Sequence, residues 1–259
     1  MVKSTKLLNG IIPSGVSIEE LRSLQKTLSS YHPLLSKDIE SLFNLHSIIH
    51  SKSAEKLEID IKFFARVSGT MQFPYKEMLQ TLNSFAKTVE KYDLQIDLNS
   101  FKRVLADIEK SGSFGIGAEW TLRYISQHGN EFAGKMLYFA VIEKVGDKVR
   151  RVDLNVYDEN LERNIFYEFK SVQGVPPDDF FDQFGKDLLN EEVKDLSQLK
   201  WIFDGKKVAQ EQLTETMRKT IDNWSIPDDI LTKWGYKDAP LRFKNEKLLP
   251  SIENIFNAK

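Results

Sequence analysis

The sequence contains no cysteine, which excludes disulfide bonds, thiolate zinc sites and thiol nucleophiles. It also lacks an apolar run of about 18 residues and a charged-then-apolar N-terminus, so neither a membrane-spanning segment nor a signal peptide is predicted. Internal repeats and low-complexity tracts are missing as well. The 259 residues are 41% hydrophobic and 29% charged, which suits one large or two ordinary globular domains. We expect a soluble chain, either whole or part of a longer protein.

A surplus of basic residues is also missing. The net charge is -2, and residues 111–259 carry 21 Lys and Arg against 25 Asp and Glu. This balance argues against high non-specific affinity for nucleic acid, because proteins that bind it usually present a basic surface. Two local basic groups, within 144–151 and 200–207, could follow a phosphate backbone. Ordinary solvated turns explain these groups equally well.

Residues 1–111 are predicted to form a helical domain. Ser17 and Glu20 have the spacing of a capping box and precede an apolar helical stripe. Apolar periodicity and helix-boundary residues predict the further helices at 39–49, Leu57 to Val67, Pro74 through Phe85, and Asp97 to Ser111.

Two histidines of this domain, His46 and His50, lie one helical turn apart and could hold zinc. The glutamate of the metalloprotease motif is missing between them, and one pair is not a full ligand set. A role on the helix surface or in the core is therefore the favoured interpretation.

Residues 112–259 change to strands separated by short turns, with helices between them. The predicted elements are a helix from Gly115 to Gln127, strands at 135–144, 150–158 and 164–171, a helix at 178–194, a strand at 199–203 and a helix at 210–224. Since the turns between the first three strands are short, these strands should form an antiparallel meander. Residues after about 225 are interpreted as an irregular extension that packs back on this domain or closes part of a substrate groove.

Three charged residues on two neighbouring strands suggest metal chemistry. The two-residue period of a strand sends Glu168 and Lys170 to one face and Tyr167 and Phe169 to the other. Asp153 interrupts an otherwise apolar strand, and antiparallel pairing could bring it near Glu168. Two carboxylates at one point suit a hard divalent cation, and a lysine beside them can steady a metal-bound hydroxide. An exposed strand with a surface Glu–Lys pair is the alternative reading.

The order of elements together with these acids resembles the PD-(D/E)xK nucleases, the group that includes restriction endonucleases. The matching positions are Glu119, Asp153, Glu168, Lys170, Gln183 and Lys186. More narrowly, residues 113–224 resemble the C-terminal nuclease domains of bacterial polymorphic toxins, including contact-dependent growth inhibition effectors. Val152 stands where the strict pattern has proline. The resemblance implies an α/β (α+β) fold, with a restriction-endonuclease-like αβββαβ core at 112–259 after the helical domain at 1–111.

The resemblance also implies roles for individual residues. Asp153, Glu168 and the Phe169 carbonyl would hold Mg²⁺ or Mn²⁺, with Zn²⁺ less favoured. Glu119 would complete the metal site or bind a second ion, and Lys170 would position or activate the attacking water. Gln183 would contact the substrate or orient Lys170, and the substrate-binding candidates are Lys186 and Arg151.

The implied activity is that of a metal-dependent endonuclease, a phosphodiester hydrolase acting as an antibacterial toxin on DNA, with RNA or tRNA as the alternative substrate. Such a toxin is the C-terminal part of a secreted or cell-surface bacterial effector, acts in the target-cell cytoplasm and is blocked by an immunity protein. The helical domain would then serve translocation, or bind substrate. A non-catalytic interaction protein is the competing hypothesis.

Overall fold

The protein was analysed as a computed structural model that describes residues 17–31, 39–59, 63, 75–110, 112–171 and 174–259. The helices of the first half are α1 (Ile18–Tyr31), α2 (Ile39–Ile49), α3 (Lys52–Leu57), α4 (Tyr75–Tyr92), α5 (Leu98–Glu109) and α6 (Ser113–Gln127). The later helices are α7 (Phe180–Leu189), α8 (Gln210–Asp222), α9 (Asp228–Lys233), α10 (Pro240–Phe243) and α11 (Leu249–Ile255), with a π-helical turn at Lys244–Leu248 joining the last two. This is a mixed α/β fold.

The described residues form one six-stranded mixed sheet. Its strands are β1 (Gln95–Ile96), β2 (Met136–Val145), β3 (Lys148–Asp158), β4 (Arg163–Lys170), β5 (Leu199–Phe203) and β6 (Phe256–Ala258), and they lie in this order across the sheet. The middle strands β2, β3 and β4 are antiparallel neighbours, as the short turns predict. The outer pairs, β1 with β2, β4 with β5 and β5 with β6, are parallel.

The sheet separates two hydrophobic clusters. One includes Phe85, Phe101, Trp120, Phe139 and Leu154, and so joins the helices of the first half to one sheet face. The other unites α7, α8 and the C-terminal helices with the opposite face. Its aromatic members are Phe166, Phe180, Phe184, Trp201, Phe203, Trp224, Phe243 and Phe256. Burial of this much aromatic surface holds both helical layers on the sheet.

Strands β3 and β4 stop pairing with each other before either strand ends. Their ladder runs from Asp158–Arg163 to Leu154–Tyr167. Beyond it, β3 continues alongside β2 to Lys148, and β4 continues alongside β5 to Lys170. The sheet is therefore split along one end.

Several predicted boundaries need correction. Helix α3 ends at Leu57, where a helix was predicted to begin, and Glu58 follows as its C-cap in the left-handed conformation. Phe63, within the predicted range, is helical. Most of the predicted range up to Val67, as well as Pro74, lies outside the described residues. The segment after 225, predicted to be irregular, contains α9 to α11 and strand β6. By contrast, the capping box is confirmed: Glu20 N–H donates to Ser17 Oγ, and Ser17 N–H donates to a Glu20 carboxylate oxygen, both at 3.1 Å.

Candidate active site

A cavity of about 510 Å³, hereafter the cleft, opens where β3 and β4 separate. Its walls come from α5, α6, both strands and the segment leading into α7. Its polar side chains include Arg150, Arg151, Asp153, Glu168, Lys170 and Gln183. Four of the catalytic candidates therefore face a common space.

Asp153 and Glu168 are the first residues beyond the last rung of the β3–β4 ladder, which joins Leu154 to Tyr167. Asp153 Oδ2 accepts a hydrogen bond of 2.8 Å from the Phe169 backbone N–H. A side-chain carboxylate thus takes the place of a strand-pairing carbonyl. This contact fixes Asp153 at the split and beside Glu168, as antiparallel pairing suggested.

The side-chain alternation of β3 changes at Asp153, so the strand departs there from the two-residue period of a regular strand. Val152 belongs to the cluster around α7, whereas Leu154, two residues later, belongs to the cluster on the opposite face. The partner strand is distorted at the same level, because Ala140 of β2 has a left-handed φ of 46°. The distortion turns Arg150 and Val152 toward the face that carries Glu168.

Burial, and after it the nearby Glu168 charge, raise the pKa of Asp153 from its ordinary value of 3.8 to about 7. The Phe169 N–H, Lys170 and Arg150 oppose this shift but do not cancel it. Two carboxylates this close are unfavourable while both are ionised. A divalent cation between them would remove that repulsion.

Asp153→Asn should stabilise the metal-free protein at pH 8 by about 2 kcal/mol, while the two proteins should be about equally stable near pH 4. The carboxyl binds its proton more tightly in the folded chain, where its pKa is raised, than in the unfolded chain. Wild-type stability is therefore lost as the pH rises from about 4 to 7, and asparagine has no such loss. Urea unfolding in a chelator at both pH values measures the difference. Equal pH dependence in the two proteins would contradict the raised pKa.

Lys170 links three groups of the cleft. Its ammonium donates to Glu168 Oε1 at 2.7 Å and to Gln183 Oε1 at 2.6 Å. The Gln183 amide nitrogen in turn donates to Asp179, one helical turn earlier. As the two-residue period of β4 predicts, Glu168 and Lys170 share a face, and Gln183 reaches them from α7. The amide oxygen of Gln183 holds the Lys170 ammonium in position.

Arg150 is a member of the cleft that the sequence did not reveal. The sequence places it beside the basic turn at residues 144–151, yet only 6% of its surface is exposed. It donates to Glu168 Oε2 and to Asp187 Oδ1, both at 2.7 Å, and Asp187 Oδ2 accepts from the Trp201 indole N–H at 2.9 Å. Burial alone would lower the pKa of Arg150, but the two carboxylates outweigh it and raise that pKa. The only sequence feature that could have revealed it is its two-residue spacing from the buried Val152.

Glu119 does not join the other two acids. Its carboxylate accepts from Thr81 Oγ1 at 2.6 Å and lies 3.5 Å from Arg123 Nε, in a separate polar cavity of about 470 Å³. Gly117 and Ala118 of α6 line the cleft. Because successive residues of a helix are rotated by about 100°, the Glu119 side chain points away from the cleft. Among the described residues, Glu119, Asp153 and Glu168 do not form a set with all ligand atoms within 4.8 Å.

The two substrate-binding candidates are placed differently. Arg151 lines the cleft, pairs with Asp107 and lies 5.6 Å from the centre of the half-exposed Phe114 ring. Lys186 instead pairs with Asp182 on its own helix at 2.7 Å and does not line the cleft. Arg151 is therefore available to a ligand at the mouth, whereas Lys186 is not directed there.

The arrangement in the cleft is two adjoining carboxylates, a lysine on the same face and a buried arginine behind them.

Comparison of the chain with protein-family models, with curated proteins and with solved structures gave no match. In the part of the chain that the structure describes, no helix combines the length and the apolar character needed to cross a membrane.

Proposed function

We propose that the protein is a metal-dependent endonuclease that hydrolyses phosphodiester bonds, and that α6, β2, β3, β4, α7 and β5 form a restriction-endonuclease-like αβββαβ core. The supporting observation is the position of Asp153 and Glu168 at adjoining points beyond the β3–β4 ladder, with Lys170 beside Glu168 in the same cleft. Two carboxylates can hold a divalent cation, and a lysine beside them can steady a hydroxide on that ion.

The donor groups fit Mg²⁺ or Mn²⁺, because hard cations prefer carboxylate oxygens. Asp153 and Glu168 would hold the ion. Burial is the main cause of the raised pKa of Asp153, and the Glu168 charge adds to it; a bound cation would offset both effects. When bound, the ion would supply a more acidic water and stabilise negative charge on the phosphate. Zn²⁺ suits this oxygen-only set less well, since it favours nitrogen and sulfur ligands.

The protein's own groups would do the rest of the chemistry. Lys170 would steady the attacking hydroxide, with Gln183 and Glu168 fixing its ammonium. Arg150 would hold Glu168 at its other oxygen. Arg151 at the cleft mouth would contact a substrate phosphate, and the Phe114 ring beside it offers a flat surface for a base. Glu119 and Lys186 have no part in this scheme.

The same proposal includes a biological setting. The substrate would be DNA, with RNA or tRNA as the alternative, and the protein would be a bacterial antibacterial toxin carried at the C-terminus of a secreted or cell-surface effector. An immunity protein would block it in the producing cell. The helical first half, which would serve translocation or substrate binding, packs on the sheet through a shared cluster.

One observation favours a second candidate, a non-catalytic interaction protein. Both oxygens of Glu168 already accept bonds from cationic side chains, and Asp153 already accepts one from the backbone. Such a network can serve structure alone, as buried ion pairs elsewhere do.

Incubation with plasmid DNA and with total tRNA, with Mg²⁺, with Mn²⁺ and with chelator, separates the two candidates. We expect cleavage of one nucleic acid with either metal, none in chelator and none by Asp153→Asn. Because this variant should be at least as stable as wild type, its inactivity cannot be ascribed to unfolding. Cleavage in chelator, cleavage by the variant or a complete lack of cleavage by wild type would overturn the proposal.

A further inference from the structure

We propose that Glu20, His46 and His50 form a zinc-binding site in the helical first half, separate from the cleft. Both histidines belong to α2, and the glutamate comes from α1, so the set is assembled by the packing of these two helices. Within the described residues, this is the group of three whose ligand atoms all lie within 4.8 Å of one another. The sequence shows only the histidine pair.

The spacing of the ligand atoms suits a tetrahedral ion. His46 Nε2 and Glu20 Oε2 are 3.4 Å apart. Two ligands about 2.0–2.1 Å from a zinc ion at the tetrahedral angle are separated by about 3.3 Å, so these two atoms need hardly move. The His50 ring lies 4.3 Å from the His46 ring, centre to centre.

The surroundings also suit a metal ligand set. His46 is mostly buried and therefore held in place, whereas His50 is exposed and can adjust its side chain. The capping bond with Ser17 fixes the Glu20 carboxylate at the start of α1. Three protein ligands leave one tetrahedral position for water, as in zinc sites that are open to solvent.

The chemistry of this set differs from that of the cleft. Two imidazoles and one carboxylate select zinc and its transition-metal neighbours, whereas an oxygen-only pair selects magnesium or manganese. The ion would link α1 to α2. Since α2 packs against α4, and α4 against α6, it would stabilise the helical layer beneath the sheet.

Calorimetric titration of the full chain with Zn²⁺ alone tests the proposal. We expect one site that His50→Ala weakens by about tenfold or more, since loss of a ligand costs at least as much as loss of a group behind it. Glu20→Gln is the matched second variant, because glutamine preserves a capping box but ligates zinc poorly. It should weaken binding too, with the circular dichroism unchanged. Co²⁺ should give visible absorption bands of a tetrahedral ion in wild type and not in His50→Ala.

Asp153→Asn is the control for the cleft and should leave this zinc site intact. Lack of saturable zinc binding by wild type would overturn the proposal and leave Glu20 and His46 as a plain ion pair. Equal zinc affinity in wild type, His50→Ala and Glu20→Gln would overturn it as well, as would loss of the site in Asp153→Asn. None of these measurements depends on nuclease activity. They therefore test the zinc site independently of the proposed function.

Discussion

Replacement of Lys170 by methionine should lower the rate of phosphodiester cleavage by about a thousandfold, the range expected when a group that assists proton transfer is removed. Lys170 bridges Glu168 and Gln183 by two hydrogen bonds, so its ammonium is held beside one of the paired acids. Methionine is an unbranched side chain only one atom shorter than lysine, so it fills most of the same space beside the Trp201 ring, over which the ammonium lies at 5.1 Å, without the charge. Single-turnover cleavage at saturating metal measures the effect.

Lys186→Met is the matched control for this prediction. Lys186 is also a lysine of the sequence motif, but it pairs with Asp182 outside the cleft. We expect its cleavage rate to stay within about threefold of wild type, because a surface pair contributes little. If the two variants lose activity equally, or if Lys170→Met retains it, Lys170 does not act on the reaction.

Replacement of Arg150 by methionine should lower the free energy of unfolding by about 3–5 kcal/mol, the usual cost of removing one partner from a buried ion pair. Without the guanidinium, Glu168 and Asp187 remain buried with fewer hydrogen bonds. The loss should shrink as the pH falls, because burial already raises the pKa of Asp187 and loss of the opposing Arg150 charge would raise it further, so that this carboxyl can take up a proton in the folded chain. Urea unfolding between pH 5 and 8 measures both effects.

The neighbouring arginine supplies the control. Arg151 is about one-third exposed, and Asp107, which it contacts, also accepts a 2.7 Å bond from Lys110. Arg151→Met should therefore cost only about 1 kcal/mol. An equal loss in both variants would mean that the network behind Glu168 adds no special stability. A loss in Arg150→Met that does not vary with pH would contradict the ionic origin of the effect.

The sequence predicted the central elements well because they have strong local patterns. Strand β5 was predicted at its observed bounds, and β2 to β4 to within about two residues, since apolar runs and short turns delimit them. Strands β1 and β6 were missed because two or three residues carry no periodicity. Their pairing depends on long-range contacts with β2 and β5.

For the candidate site, the sequence was informative where side-chain direction follows from local geometry alone. The two-residue period placed Glu168 and Lys170 together. The orientation of Glu119 depends on how α6 is rotated against the sheet, which no local pattern fixes. The burial of Arg150 depends on the distortion of β3 at Asp153 and on Asp187 from α7, so its position beside a basic turn was misleading.

Because the sheet is split, strand pairing does not set the distance between the Asp153 and Glu168 carboxylates. Asp153 lies in the half of the sheet that contains β1 to β3, and Glu168 lies in the half that contains β4 to β6. The β3–β4 ladder, which ends at Leu154–Tyr167, joins the two halves. Beyond it, they are connected by the Arg150–Glu168 hydrogen bond and by the bond from the Phe169 N–H to Asp153. If the two acids hold an ion as proposed, a substitution that widens the gap between them without breaking these two bonds should weaken ion binding and leave the free energy of unfolding unchanged.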